Sequence, residues 1–138
     1  MAATVLFISA TFANSNTTPS LQVQNEFNRM FAKSTGVQWE SVSGFYKANF
    51  QQDGQYLTVF FNPAGHIESL SRNITVASLP LMLQKGIQDK MGSTWVSESF
   101  ELLSANGTQY YVTLDNADVK TTYQSGGNNW TVYKTIRK

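Results

Sequence analysis

The sequence predicts an α+β fold: two tandem repeats, each a single helix followed by an antiparallel β-sheet of three to four strands. Three observations predict it. Twice along the chain an apolar period near 3.6 residues gives way to a period of two, over residues 21–32 then 37–67, and over residues 79–91 then 95–136. The period-two runs are short, and the breaks between them carry Gly, Pro, Asn and Asp, the turn chemistry that closes antiparallel hairpins. The halves also answer one another in order: Trp39 and Trp95, Asp53-Gly54 and Asn106-Gly107, Val59 and Val112, Asn62-Pro63-Ala64 and Asp115-Asn116-Ala117.

Taken from the start, residues 4–10 (TVLFISA) form a short apolar run, followed by Thr11-Phe12-Ala13 with small residues at the positions a signal peptidase reads. Residues 1–13 are therefore expected to be a signal peptide and residues 14–19 a polar linker. No Lys or Arg precedes the run, so a start upstream of Met1, or a terminal strand, stays open as an alternative reading. The run is far short of the ~20 apolar residues that span a bilayer, and no later stretch approaches that length, so no transmembrane segment is expected. No cysteine follows it to carry a lipid. The domain proper is expected over residues 20–138, as repeats 20–73 and 74–138.

In the first repeat Val23, Phe27, Met30 and Phe31 fall at i, i+4, i+7 and i+8, one apolar stripe of an amphipathic helix started by Ser20 or Thr18-Pro19 and followed by Gly36. Strands are then expected around Val37 and Trp39, Tyr46 to Phe50, Leu57 to Phe61, and Ile67. In the second repeat Ser78 is the expected N-cap with Pro80 in the first turn. Leu79, Leu83, Ile87 and Met91 share one face, and Gly92 stops the helix. Gly86 inside it costs about 1 kcal/mol relative to Ala. Strands follow over residues 95–103, 108–114, 119–124 and 130–136.

At 138 residues a chain buries roughly two-thirds of its unfolded surface, enough for a core without disulfide or metal staples. The absence of cysteine excludes thiol catalysis, cysteine-ligated zinc and iron–sulfur chemistry. Ten Lys+Arg against nine Asp+Glu, with a basic cluster only at Lys134, Arg137 and Lys138, argues against a nucleic-acid partner. His66 is the sole histidine, so a triad or metal site would depend on it alone. There is no Gly-x-Ser-x-Gly, phosphate-cradling loop or His-Glu-x-x-His. Glu98 and Glu101 point to opposite faces of a strand, and Asp115 and Asp118 flank a turn with too few oxygens for a hard cation. The expectation is a non-enzyme with no cofactor and no metal. Four Asn-x-Thr sequences, at Asn16, Asn73, Asn106 and Asn129, match the N-glycosylation pattern, but a composition this rich in Asn, Ser and Thr yields about two by chance, so they read as chance matches unless the host is eukaryotic.

The helix, Val37-Gln38-Trp39, the Tyr46-x-Ala48-x-Phe50 strand, the Asp53-Gly54 turn, Val59-Phe60-Phe61-Asn62, Gly65 and the Leu79-Pro80 opening of the second helix resemble the PepSY-like, β-lactamase-inhibitor-like proteins exported by bacteria of the Bacteroidetes type. The resemblance covers residues 20–138. The second half departs from it, with Phe100-Glu-Leu-Leu-Ser in place of Tyr-x-Ala-x-Phe and no Gly after Ala117. It implies a tandem helix-plus-sheet fold in the periplasm or outside the cell, and binding or inhibition rather than catalysis. It carries over no catalytic residues. The alternative fold is a single curved sheet of the cystatin-like or nuclear-transport-factor-like kind, without the duplication.

If Leu57, Val59 and Phe61 face the helix, alternation turns Tyr56, Thr58 and Phe60 away; Tyr111 and Tyr133 lie opposite to Val112 and Trp130 by the same logic. Phe45, Tyr56, Phe60, Tyr111 and Tyr133 are then the expected binding residues on an open sheet face, since aromatic anchors combine large area with few rotors. The same pattern also serves ordinary cross-strand packing. The function expected is a binding or inhibitor-like module for an envelope or extracellular protein, such as a protease or a lactamase. The alternatives are a small periplasmic ligand- or carbohydrate-binding protein, or a cone-shaped α+β enzyme using His66.

Overall fold

The structure, a computed structural model, describes residues 17–138, and the expected signal peptide over 1–13 lies outside the described residues. In chain order the elements are α1 (Leu21–Met30), β1 (Thr35–Val42), β2 (Phe45–Gln52), β3 (Gln55–Phe61), β4 (Ile67–Asn73), α2 (Leu81–Met91), β5 (Trp95–Ser104), β6 (Gly107–Asp115), β7 (Val119–Gly126) and β8 (Asn129–Arg137). The chain divides into two compact units, the first running to Leu70 with Ser104–Asn106, the second comprising Ser71–Leu103 and Gly107–Lys138.

In the first unit Ser20 caps α1 as its position predicts, its hydroxyl accepting from the Val23 N–H at 3.4 Å. The buried stripe Val23, Phe27 and Phe31 meets Ala48, Phe50, Val59 and Phe61, with Val37, Trp39, Tyr46 and Leu57 around them. These strand residues are the alternate ones of β2 and β3, so the face chosen from the sequence is the face that packs on the helix. Met30, assigned to the same stripe, is exposed. The β1–β2 and β2–β3 hairpins close on Ser43-Gly44 (φ 50° and 84°) and Asp53-Gly54 (φ 53° and 76°), two-residue loops with both residues left-handed. That conformation matches the strand twist, and glycine supplies half of it without steric cost.

In the second unit Ser78 does not cap the helix. Val76–Ser78 forms a separate 3₁₀ turn, and α2 begins at Leu81 behind Pro80, with no side-chain cap. Leu79 precedes proline and sits extended at ψ 151°, the conformation a following proline ring favours, so a helix cannot run through it from Ser78. Leu79, Leu83 and Ile87 pack on Val112, Leu114 and Trp130, with Met91, Val96, Tyr110 and Tyr123 at the margin. The Trp130 indole N–H donates to the Leu83 carbonyl at 2.8 Å, and the same edge of the ring fills the space beside Gly86.

The expectation of two repeats, each with its own sheet of three to four strands, is overturned: the eight strands form one sheet in the order β1-β2-β3-β4-β5-β6-β7-β8. The fold remains α+β. A four-stranded sheet ending at β4 would leave that strand's N–H and C=O groups unpaired along an edge. Here β5 takes them up. Beyond the end of β4 the Ile74 N–H donates to the Ser99 carbonyl at 3.1 Å, the Ser99 hydroxyl donates to the Ile74 carbonyl, and Arg72 ion-pairs with Glu101. The edges are then β1 and β8. In β8 the register slips between Tyr123↔Val132 and Thr122↔Lys134, which leaves Tyr133 as the extra residue of a bulge.

Beyond β8, Lys138 reaches back to the end of β6. Its Nζ lies 2.5 Å from Asp115 Oδ1, with Lys120 more distant at 3.8 Å. The hydrogen bond from Lys138 holds the Asp115 carboxyl below its ordinary range, a shift that its partial burial opposes and the positive charges of Lys138 and Lys120 reinforce. A carboxyl depressed in the folded state binds its proton later than the unfolded one, so the stability it contributes is present above the unfolded value of about 3.9 and is lost as pH falls through the folded value. Acid titration of the thermal midpoint should therefore drop more steeply below about pH 4 in the native chain than in Asp115→Asn; parallel curves would refute the linkage.

Candidate functional site

In the first unit the face of β2 and β3 turned away from α1 carries Phe45, Lys47, Asn49 and Gln51 opposite Tyr56, Thr58 and Phe60. Lys47 pairs directly with Phe60, and its ammonium stands 6.0 Å from the ring centre. Asn49 pairs with Thr58, whose hydroxyl donates to Asn49 Oδ1 at 2.7 Å. Tyr56, opposite Gln51, is 61% exposed, while Phe45 and Phe60 are half-buried. Glu40 on β1 pairs with Lys47 from the other side. The row Glu40, Lys47, Phe60 thus runs across three strands with an acid, a base and an aromatic ring, flanked by amide and hydroxyl groups. Such a face can seat a protein side chain on the rings and satisfy its polar neighbours at once.

In the second unit Tyr111 is on the predicted face, opposite to Val112, yet it is not available to a partner. It is fully buried, with the Phe100 ring stacked on it at 4.9 Å and the Tyr133 ring edge-on at 5.4 Å. Its hydroxyl receives the Gln124 amide at 2.7 Å, and burial pushes the phenol up from its usual value. The expected exposure of Tyr111 is corrected accordingly: it is the supporting ring, and Tyr133, 40% exposed, is the outer one. The five expected residues therefore fall in two sets, Phe45, Tyr56 and Phe60 in the first unit, Tyr111 and Tyr133 in the second.

A second feature of the first unit, not anticipated from the sequence, is a groove of about 470 Å³ between the C-terminal half of α1 and β1. Gln24 and Asn28, one helical turn apart, form one wall; Phe27, Phe31, Val37 and Trp39 supply the apolar lining, and Ala32 and Ser34 close the end. None of the lining side chains is charged. The Gln24 amide donates to the Pro19 carbonyl at 2.7 Å. Gln24 and Asn28 read, in sequence, only as the polar flank of an amphipathic helix.

His66 is exposed in the β3–β4 turn, where its N–H donates to Asn62 Oδ1 at 3.0 Å and its carbonyl accepts from the Asn62 N–H at 2.9 Å. It does not line the groove. Among the described residues no three His, Cys, Asp or Glu side chains gather as metal ligands, and no helix is long and apolar enough to cross a membrane.

No known protein-family profile matches the chain, and no curated protein matches it by sequence. Solved structures do match in fold. A DUF2874 family protein from Bacteroides ovatus is 22% identical, with a TM-score of 0.74 over 88% of this chain and 89% of that one. A BLIP-like protein from Bacteroides fragilis is 17% identical, with a TM-score of 0.70 over 88% and 87%. A protein from Bacteroides eggerthii, provisionally described as periplasmic, is 13% identical, with a TM-score of 0.78 over 88% and 90%. The likeness is one of fold, extends over nearly the whole of each chain, and includes a BLIP-like protein, which supports that part of the resemblance; none of these three proteins is described as PepSY-like.

Proposed function

We propose that the protein is an exported, non-catalytic binding module, inhibitor-like in character, that recognises an envelope or extracellular protein through the outer face of its sheet. The observation that carries this reading is the outer face of β2 and β3, where Tyr56 is exposed beside Phe60, Phe45 and Lys47 while the opposite residues of the same strands are taken up in the core under α1. The apolar start of the chain and the fold shared with BLIP-like and periplasmic-type proteins support export and binding, and a PepSY-like relationship is part of the same proposal. Phe45, Tyr56 and Phe60 are the contact residues, with Tyr133 in the second unit and Tyr111 acting beneath it. The test begins with a partner captured from envelope extract, identified and titrated. Tyr56→Ala and Phe60→Ala should each weaken its binding by about 1–4 kcal/mol with thermal midpoints nearly unchanged. Unchanged affinity in both variants would remove the face from the interaction.

The groove favours a second reading, a small neutral ligand. Its volume lies within the range of small-molecule sites, its aromatic lining offers ring surface, and Gln24 and Asn28 offer amides in a lining that has no charged side chain. A sugar ring, apolar on its C–H face and hydroxylated at its rim, matches that lining. Titration with neutral oligosaccharides, followed by tryptophan fluorescence and repeated on the exposed-site variant Asn28→Ala, separates this reading from the first, because Asn28 belongs to α1, which packs on the face of β2 and β3 opposite to Tyr56 and Phe60.

A further inference from the structure

The ammonium of Lys138 sits in a cup built from three elements of the second unit. Nζ lies 2.5 Å from Asp115 Oδ1 at the end of β6, donates to the Asn116 carbonyl at 2.7 Å in the turn that follows, and stands 5.6 Å from the centre of the Trp95 ring at the start of β5. A carboxylate, a carbonyl and an aromatic face are the partner types that together recognise an ammonium ion. The cup is recessed on one side and open on the other. The Asp115 side chain is 8% exposed and already poised as an anion, whereas that of Lys138 is 41% exposed and Trp95 is exposed as well. Lys138 is positioned by its backbone, whose N–H donates to the Asp118 carbonyl at 2.9 Å, so its ammonium is presented to the cup as a tethered ligand.

We propose that Trp95, Asp115 and the Asn116 carbonyl form a lysine-recognition cup, occupied in the free protein by Lys138 and taken over by a lysine side chain of a partner protein when Lys138 is displaced. Tethering gives Lys138 a high effective concentration, so a free amine competes poorly and a partner succeeds only by adding contacts elsewhere on the surface. The cup is thus self-capped, and it screens out isolated amines. The only other ammonium near Asp115 among the described residues is that of Lys120, at 3.8 Å and on the neighbouring strand β7, too far for a full hydrogen bond. This proposal stands apart from the outer-face reading, since it involves none of Phe45, Tyr56 or Phe60.

Chemical rescue tests it. Lys138→Ala should lower the thermal midpoint, and n-butylammonium chloride should restore it and shift the Trp95 indole N–H resonance, with half-saturation on the order of 0.1 M as expected of an exposed ion pair. Sodium chloride and n-butanol at equal concentration should do neither, the native chain should not respond, and Lys138→Ala with Asp115→Asn should lose the rescue. Nα-acetyl-lysine-N-methylamide should match n-butylammonium. If Lys138→Ala does not fold, Lys138→Met keeps the apolar stem and carries the same resonance titration. Rescue no better than that by sodium chloride, or rescue that survives Asp115→Asn, overturns the cup; putrescine binding tenfold tighter than the lysine derivative overturns its assignment to protein lysines.

Discussion

Trp130→Ala is expected to lower stability by about 3–5 kcal/mol, a fall in thermal midpoint of roughly 10–20 °C for a domain of this size. The indole closes the core of the second unit against Leu83 and Ile87, and its N–H satisfies the Leu83 carbonyl, so truncation leaves both a cavity and a lost hydrogen bond. Gly86 gives the experiment a sharper form. A Cβ there would stand 3.0 Å from Trp130 Cδ1 and 3.3 Å from its Nε1, so the indole occupies the space a side chain would need. Gly86→Ala gains about 1 kcal/mol of helix propensity, but the ring cannot retreat without breaking its bond to Leu83, and overpacking of this kind costs roughly 1–3 kcal/mol. The single change should therefore be destabilising. In the Trp130→Ala background the obstacle is gone and the same change should become stabilising by up to about 1 kcal/mol. Urea unfolding of the four chains reads the inversion directly, and a Gly86→Ala chain more stable than the native one would show that the indole yields.

Gly86 also marks what the residues could and could not disclose. A glycine in mid-helix is visible in the sequence as an irregularity, but its reason is a tryptophan from the last strand, which no local pattern connects to it. The helices and the alternation of β2, β3 and β6 were legible because burial imposes a period on side chains. Leu57, Val59 and Phe61 face α1, and Val112 and Leu114 face α2, as the alternation requires. Continuity of the sheet was not legible, because the join of β4 to β5 is made largely by backbone groups such as the Ile74 N–H, which every residue but proline possesses. The same division runs through the candidate site. The side of the sheet on which Tyr111 lies follows from period two, whereas its burial depends on Phe100 from β5 and on Tyr133, displaced by a bulge in β8. Tyr56, near a hairpin tip with only Gln51 opposite, has no such cover and stays exposed.

Phe27→Ala is the corresponding deletion in the first unit and should also cost about 3–5 kcal/mol. The ring is almost fully buried and meets four others: Phe50 at 5.0 Å and Trp39 at 5.1 Å, both near edge-on, Phe31 at 5.3 Å, and Phe61 at 6.5 Å. Edge-to-face pairs add about 0.5–1.5 kcal/mol beyond area burial, so Phe27→Leu, which keeps much of the apolar volume and none of the ring geometry, should fall well short of full rescue. Met30, three residues on and on the stripe by spacing alone, is exposed, and Met30→Ala should change stability by less than about 0.5 kcal/mol. The contrast between those two positions, read as shifts in urea midpoint, tests whether the α1 face is set by contact with Phe50 and Trp39 or by helical periodicity alone. Phe27 lines the groove as well as the core, so Phe27→Ala should also widen the space beneath Gln24 and Asn28 and quench or shift the emission of Trp39. Equal losses at Phe27 and Met30 would mean that the aromatic cluster does not organise this unit, and the groove it walls would lose its rigid support.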